Sequence, residues 1–105
     1  MWAMRSDLLD RLVRKAGQSR CMFRVSAMAF DRRGRILGMA MNQPRFHRPG
    51  GGRHAEMELM RTLKGVRTIL ICRIGQGGAI LPLEPCRACS RKASKLGIRI
   101  VSVRI

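Results

Sequence analysis

Apolar residues recur at helical spacing near the start of the chain, and the later hydrophobic runs are short and strand-like. Leu8, Leu9, Leu12, Val13 and Ala16 share one face between Ser6, a candidate N-cap, and Gly17, a C-terminal stop. Arg11, Arg14 and Lys15 lie on the other face, which predicts a core-covering helix with a solvated back. Residues 21–30 and 36–41 have few breakers and flank Asp31-Arg32-Arg33-Gly34-Arg35, so they predict a hairpin. Asn42-Gln43-Pro44 ends the second strand, and residues 45–53 form a loop with three Arg, Phe46, His47 and three Gly.

A second helix is predicted over residues 54–64, with Ala55, Met57, Leu59, Met60 and Leu63 as its apolar positions and Gly65 as its stop. Residues 66–74 predict a strand buried on both faces, since Thr68 to Cys72 is almost continuously apolar. Residues 75–78 are a glycine break, and residues 79–84 are expected to extend toward whatever site the chain builds. Pro85 predicts the start of a third helix, where its missing N–H costs nothing, and Gly97 its end. Residues 98–105 alternate as a last strand. The predicted order is α-β-β-α-β-α-β, an α/β fold with helices packed in two or three layers on a mixed sheet of about four strands. At 105 residues the chain fits one domain with a single core.

Composition changes this picture in two ways. Only Trp2, Phe23, Phe30 and Phe46 are aromatic, so the core must be aliphatic, with Met as adaptable filler. The 22 Lys and Arg against 6 Asp and Glu give a net charge of +16. Most are Arg, which pairs bidentately with phosphate and stacks on bases, so the charge favours phosphate-bearing partners. A genomic bias toward Arg, or a face that docks an acidic protein, is the bland explanation of the same charge. The N-terminal residues lack an apolar signal core, and no run is long enough to span a membrane, so a reducing cytoplasm is expected. Cys21 and Cys72 lie in apolar runs and read as inert buried thiols.

The chemistry lies in His54-Ala55-Glu56 and Pro85-Cys86-Arg87-Ala88-Cys89, which together read H-x-E…P-C-x-x-C. One neutral imidazole and two thiolates suit Zn²⁺, and three protein ligands leave a fourth position for water. Bound zinc lowers the pKa of that water toward neutrality. Glu56, two residues from a ligand, is placed to take the water's proton and hand it to a departing amine. The competing reading is a closed structural zinc site, which needs a fourth ligand from His47, Cys21 or Cys72. His47 reads better as a surface residue, and Glu58 as an ordinary first-turn acid. In the loop, Arg45, Phe46 and Arg48 suit phosphate contact and base stacking at a pocket mouth, although a solvated connector would look the same. The glycines of residues 75–78 lack a following Lys-Ser/Thr and do not form a triphosphate cradle.

On these residues the chain resembles the cytidine deaminase-like superfamily across most of its length. The resemblance implies zinc on His54, Cys86 and Cys89, with Glu56 as proton shuttle. It further implies that Asn42 hydrogen-bonds the sugar, that Ala55 offers its backbone N–H near the base, and that Pro85 borders the same pocket. The expected activity is hydrolysis of cytosine to uracil, with single-stranded DNA or RNA slightly favoured by the charge. Free cytidine, deoxycytidine or a monophosphate is the alternative substrate, and adenine in RNA a weaker one. From other classes, a non-catalytic zinc-stabilised basic module that binds nucleic acid, or a basic protein that docks an acidic partner, accounts for part of the pattern. Members commonly continue past the fourth strand with another helix and often a fifth strand. Ending at Ile105, this chain is therefore expected to expose the edge of its last strand, which a homo-oligomer could cover.

Overall fold

The computed structural model describes residues 6–19, 24–42, 54–75 and 77–103. In chain order these form α1 (Ser6–Gly17), β1 (Arg24–Phe30), β2 (Ile36–Met41), α2 (Ala55–Thr62), β3 (Thr68–Ile74), β4 (Ile80–Leu81), α3 (Arg87–Leu96) and β5 (Arg99–Ser102). The strands make one mixed sheet. β1 lies between β2 and β3, antiparallel to both, while the other edge of β3 is shared. β5 runs parallel along Thr68 to Ile71, and β4 pairs antiparallel with Arg73 and Ile74.

Alternation along the two central strands sorts the core into two layers. Val25, Ala27 and Ala29 of β1, with Ile69 and Ile71 of β3, pack with Ala55, Leu59 and Met60 of α2 and with Cys89 and Ala93 of α3. Met28 and Phe30, with Leu70, Cys72 and Ile74, pack with Leu8, Leu12 and Ala16 of α1 on the other side. The domain is therefore the three-layer arrangement, with α1 on one face and α2 and α3 on the other. Small residues dominate under α2: Ala27 pairs with Ala40 across β1 and β2, and a Cβ on Gly38 would stand 3.0 Å from Leu63 Cδ1. Buried Ser26 is accommodated because its Oγ donates to the Leu12 carbonyl at 2.6 Å, tying β1 to α1.

The hairpin forms as expected, around a turn that Asp31 organises. Its carboxylate accepts from the N–H groups of Arg33 and Arg35 and from Arg35 Nε, each at 2.9 Å. The Arg35 N–H, helped by the guanidinium and by Arg33, holds this carboxyl below its ordinary range. Gly34 takes a φ of 80° there.

The mixed sheet of about four strands is found with one short addition, and one expectation is corrected. Ile80 and Leu81 form a strand of their own, so among the described residues the sheet has five strands and the order is α-β-β-α-β-β-α-β. A two-residue strand carries no readable alternation; it exists because the glycine break folds the chain back onto the end of β3, with Gly75 N–H bonded to the Ala79 carbonyl at 2.9 Å. Pro85 is not the first helical residue. Cys86 is the N-cap of α3, and the helix begins at Arg87. The stop at Gly97 is as expected, with a left-handed φ of 70°. β5 pairs only with β3 among the described strands. No helix among the described residues is long and apolar enough to cross a membrane.

Cys72 is buried on the α1 face, and burial pushes its thiol up to about 11. In the folded protein at pH 8 it is expected to resist alkylation and to be labelled only as fast as the protein unfolds, read by mass spectrometry of its peptide. Leu12 is fully buried against the same face. Leu12→Ala is expected to lower stability by about 2–5 kcal/mol in equilibrium denaturation.

Candidate metal centre

The starts of α2 and α3 meet at one end of the sheet, because both helices run back from that end along the same face. His54 is the N-cap of α2, yet its side chain makes no capping hydrogen bond. Its imidazole turns to α3 instead, with Nδ1 3.2 Å from Cys86 Sγ and 3.3 Å from Cys89 Sγ. The three donor atoms all lie within 4.8 Å of one another. Cys86 Sγ in turn accepts from the Cys89 backbone N–H at 3.4 Å, capping α3 with a ligand thiol.

The donor set fits zinc. Tetrahedral coordination with ordinary Zn–N and Zn–S bonds places such donors about 3.6 Å apart, close to the spacing found here. Two soft sulfurs and one imidazole select against hard cations. Electrostatics agree. Cys89 is fully buried, and burial, followed by the nearby Glu56 carboxylate, raises its thiol pKa far above the ordinary value. Glu56 itself is only 5% exposed, and no cationic side chain pairs with it among the described residues. A carboxylate and two potential thiolates gathered at one place call for a cation that the described side chains do not supply.

No fourth His, Cys, Asp or Glu joins the trio among the described residues. Cys72, one of the three candidates for a closed site, is excluded because it faces α1 across the sheet. The other two, His47 and Cys21, lie outside the described residues, as do Arg45, Phe46 and Arg48. Ala55 is buried at the first position of α2, where its N–H has no partner within the helix. Pro85 is half-buried immediately before Cys86. Glu58 pairs with Arg61 at 3.0 Å on the exposed side of α2, the structural role expected of it.

Asn42, half-buried just past β2, is fixed by groups that sequence reasoning missed. Its Oδ1 accepts from the Val25 N–H at 2.9 Å and lies 2.6 Å from Ser19 Oγ. Ser19 is 23 residues away in the chain, and nothing local in the sequence announces that contact. Ser102 was missed for the same reason: its hydroxyl donates to the Leu83 carbonyl, tying the segment that leads into Cys86 to β5.

Comparison with known proteins agrees with this geometry. The sequence profile described as the cytidine and deoxycytidylate deaminase zinc-binding region matches residues 4–105. Compared by sequence with the curated proteins, the chain has no significant match. Among solved structures it is similar to a cytidine deaminase from Burkholderia pseudomallei, with a TM-score of 0.66 at 16% identity, covering 96% of this chain and 87% of the other. It is also similar to a cytidine deaminase from Mycobacterium tuberculosis, with a TM-score of 0.61 at 17% identity over 96% and 86% of the two chains. A dCMP deaminase from the cyanophage S-TIM5 superposes with a TM-score of 0.54 at 14% identity over 94% and 84%. At these identities the likeness is one of fold.

Replacing any one of the three donors should empty the centre. His54→Ala, Cys86→Ser and Cys89→Ser are each expected to reduce bound zinc from one equivalent to near zero, measured by elemental analysis after dialysis. Because Cys89 is also packed in the core, its variant should show the largest fall in melting temperature.

Proposed function

As the chain belongs to the cytidine and deoxycytidylate deaminase zinc-binding family, whose members are zinc-dependent hydrolases, we propose that it deaminates cytosine to uracil in single-stranded DNA or RNA. The observation that carries the hydrolytic reading is the gathering of His54, Cys86 and Cys89 beside the buried Glu56 carboxylate, with no fourth donor among the described residues. Zinc would be held by His54 Nδ1 and the two sulfurs, and would supply the lowered pKa that makes water a nucleophile near neutral pH.

The residues of the chain have separate tasks. Glu56 Oε takes a proton from the water that adds to C4 of the ring and returns it to the departing amine, so ammonia leaves as the C4–N4 bond breaks. Burial of that carboxylate on the second residue of α2 keeps bulk water from competing for the proton. The Ala55 N–H, at the start of the helix, is the donor offered to the base. Pro85 borders the same pocket. Asn42, whose Oδ1 accepts from the Val25 N–H and lies near Ser19, is the residue that would meet the sugar. Two thiol ligands require a reducing compartment, in keeping with a cytoplasmic protein.

Support for a polynucleotide comes from the +16 charge and from Arg45, Phe46 and Arg48 in the loop before His54. Free cytidine, deoxycytidine or its monophosphate is the second reading, favoured by the similar structures, which are cytidine deaminases and a dCMP deaminase. A homo-oligomer would cover the outer edge of β5 in either case.

Zinc-loaded protein and its Glu56→Ala variant should be compared by mass spectrometry on nucleosides, monophosphates and single-stranded oligonucleotides. Uracil is expected to form in the oligonucleotides, with the variant slower by about 10²–10⁴-fold or more while retaining its zinc. Turnover confined to the small molecules would establish the second reading. Zinc binding without any turnover would mark a non-catalytic basic module.

A further inference from the structure

α3 carries a feature that neither zinc binding nor packing accounts for. Its buried side is formed by Cys89 and Ala93. On the opposite side Arg87, Arg91 and Lys95 recur at four-residue intervals, all three exposed, with Lys92 half-buried at the flank. At 1.5 Å per residue the row is about 12 Å long. It begins beside the ligand Cys86 and runs away from the metal centre.

This arrangement costs the helix stability. Like charges four residues apart repel. Arg87 stands at the first helical position, where the dipole disfavours a cation, and the first turn contains no acid. None of the four cations has an ion pair or side-chain hydrogen bond among the described residues. The other two helices differ: α1 mixes Asp7 and Asp10 with its cations, and the one cation of α2, Arg61, is paired with Glu58. A helix with four cations and no acid is compensated only by an anion from outside.

We propose that the outer face of α3 binds the sugar-phosphate backbone of a single-stranded nucleic acid, leading one strand up to the metal centre. Two observations favour a nucleic acid over an acidic protein. The charges form a single line rather than a patch, matching a polymer with evenly repeated anions. The line also starts at the metal centre, so a backbone lying on it would place a base close to Cys86. Only that last point rests on the deaminase reading; the binding surface stands on the charge array alone.

The test is binding of the zinc-loaded protein to a fluorescently labelled single-stranded pyrimidine oligonucleotide over a series of salt concentrations, with uracil formation measured on the same oligonucleotide. An Arg91→Gln/Lys95→Gln variant is compared with Arg11→Gln/Arg14→Gln, which removes the same charge from exposed positions on α1, across the sheet. Melting temperature and zinc content verify that both fold. The α3 variant is expected to bind more weakly, with the slope of log K against log salt shallower by about 1.4, since each lost phosphate contact contributes about 0.7. The α1 variant should keep the wild-type slope. Equal losses in the two variants, no loss in either, or no binding by the wild type would overturn the proposal. So would displacement of the oligonucleotide by polyglutamate at equal charge concentration, which would point to an acidic protein. Tight α3-dependent binding without uracil formation would sink the reading of the oligonucleotide as the substrate and leave the surface standing.

Discussion

The structure depends on burying both faces of β3. Its residues alternate between two cores, Ile69 and Ile71 toward α2 and α3, Leu70, Cys72 and Ile74 toward α1. A strand covered in this way has no solvent side, and it must be paired along both edges as well. β1 satisfies one edge over its whole length, while β5 and β4 divide the other. The shared second edge brings the glycine break, the two-residue strand and the segment before Cys86 to the end of the sheet where α2 begins.

The metal centre follows from that arrangement. His54 could not find the two cysteines locally, since 32 and 35 residues separate it from them. The sheet brings their helix starts together, and small residues under α2 allow the helix to sit close to the strands. The N-cap positions are then used unusually: His54 gives no cap to its own helix, whereas Cys86 caps α3 through the sulfur that also faces His54 Nδ1. Burial makes free thiolates costly there, and it is the same burial that makes a divalent cation the natural counter-charge.

Function at such a centre divides between a buried pocket and a charged exterior. On the reading proposed above, the few groups that converge on the centre select the ring and the bond that react. The exterior governs what can be delivered to it, through long-range charge. In this chain α3 carries four cations and no acid, and that local imbalance says more about a partner than the net charge does.

By itself the sequence determined the number and type of the long elements, the bounds of β2, the turn at Gly34 and the stop at Gly97, and it singled out His54, Cys86 and Cys89, which the fold gathers. These rest on short-range rules: periodicity, backbone freedom of glycine, and ligand chemistry at fixed spacing. It did not yield β4, the cap at Cys86 in place of a helix starting at Pro85, or the roles of Ser19 and Ser102. Nor could it tell that Cys72, a candidate fourth ligand, belongs to the opposite core. Each of these was decided by contacts between residues far apart in the chain, and such contacts exist only once the sheet has closed and committed every side chain to one of its two faces.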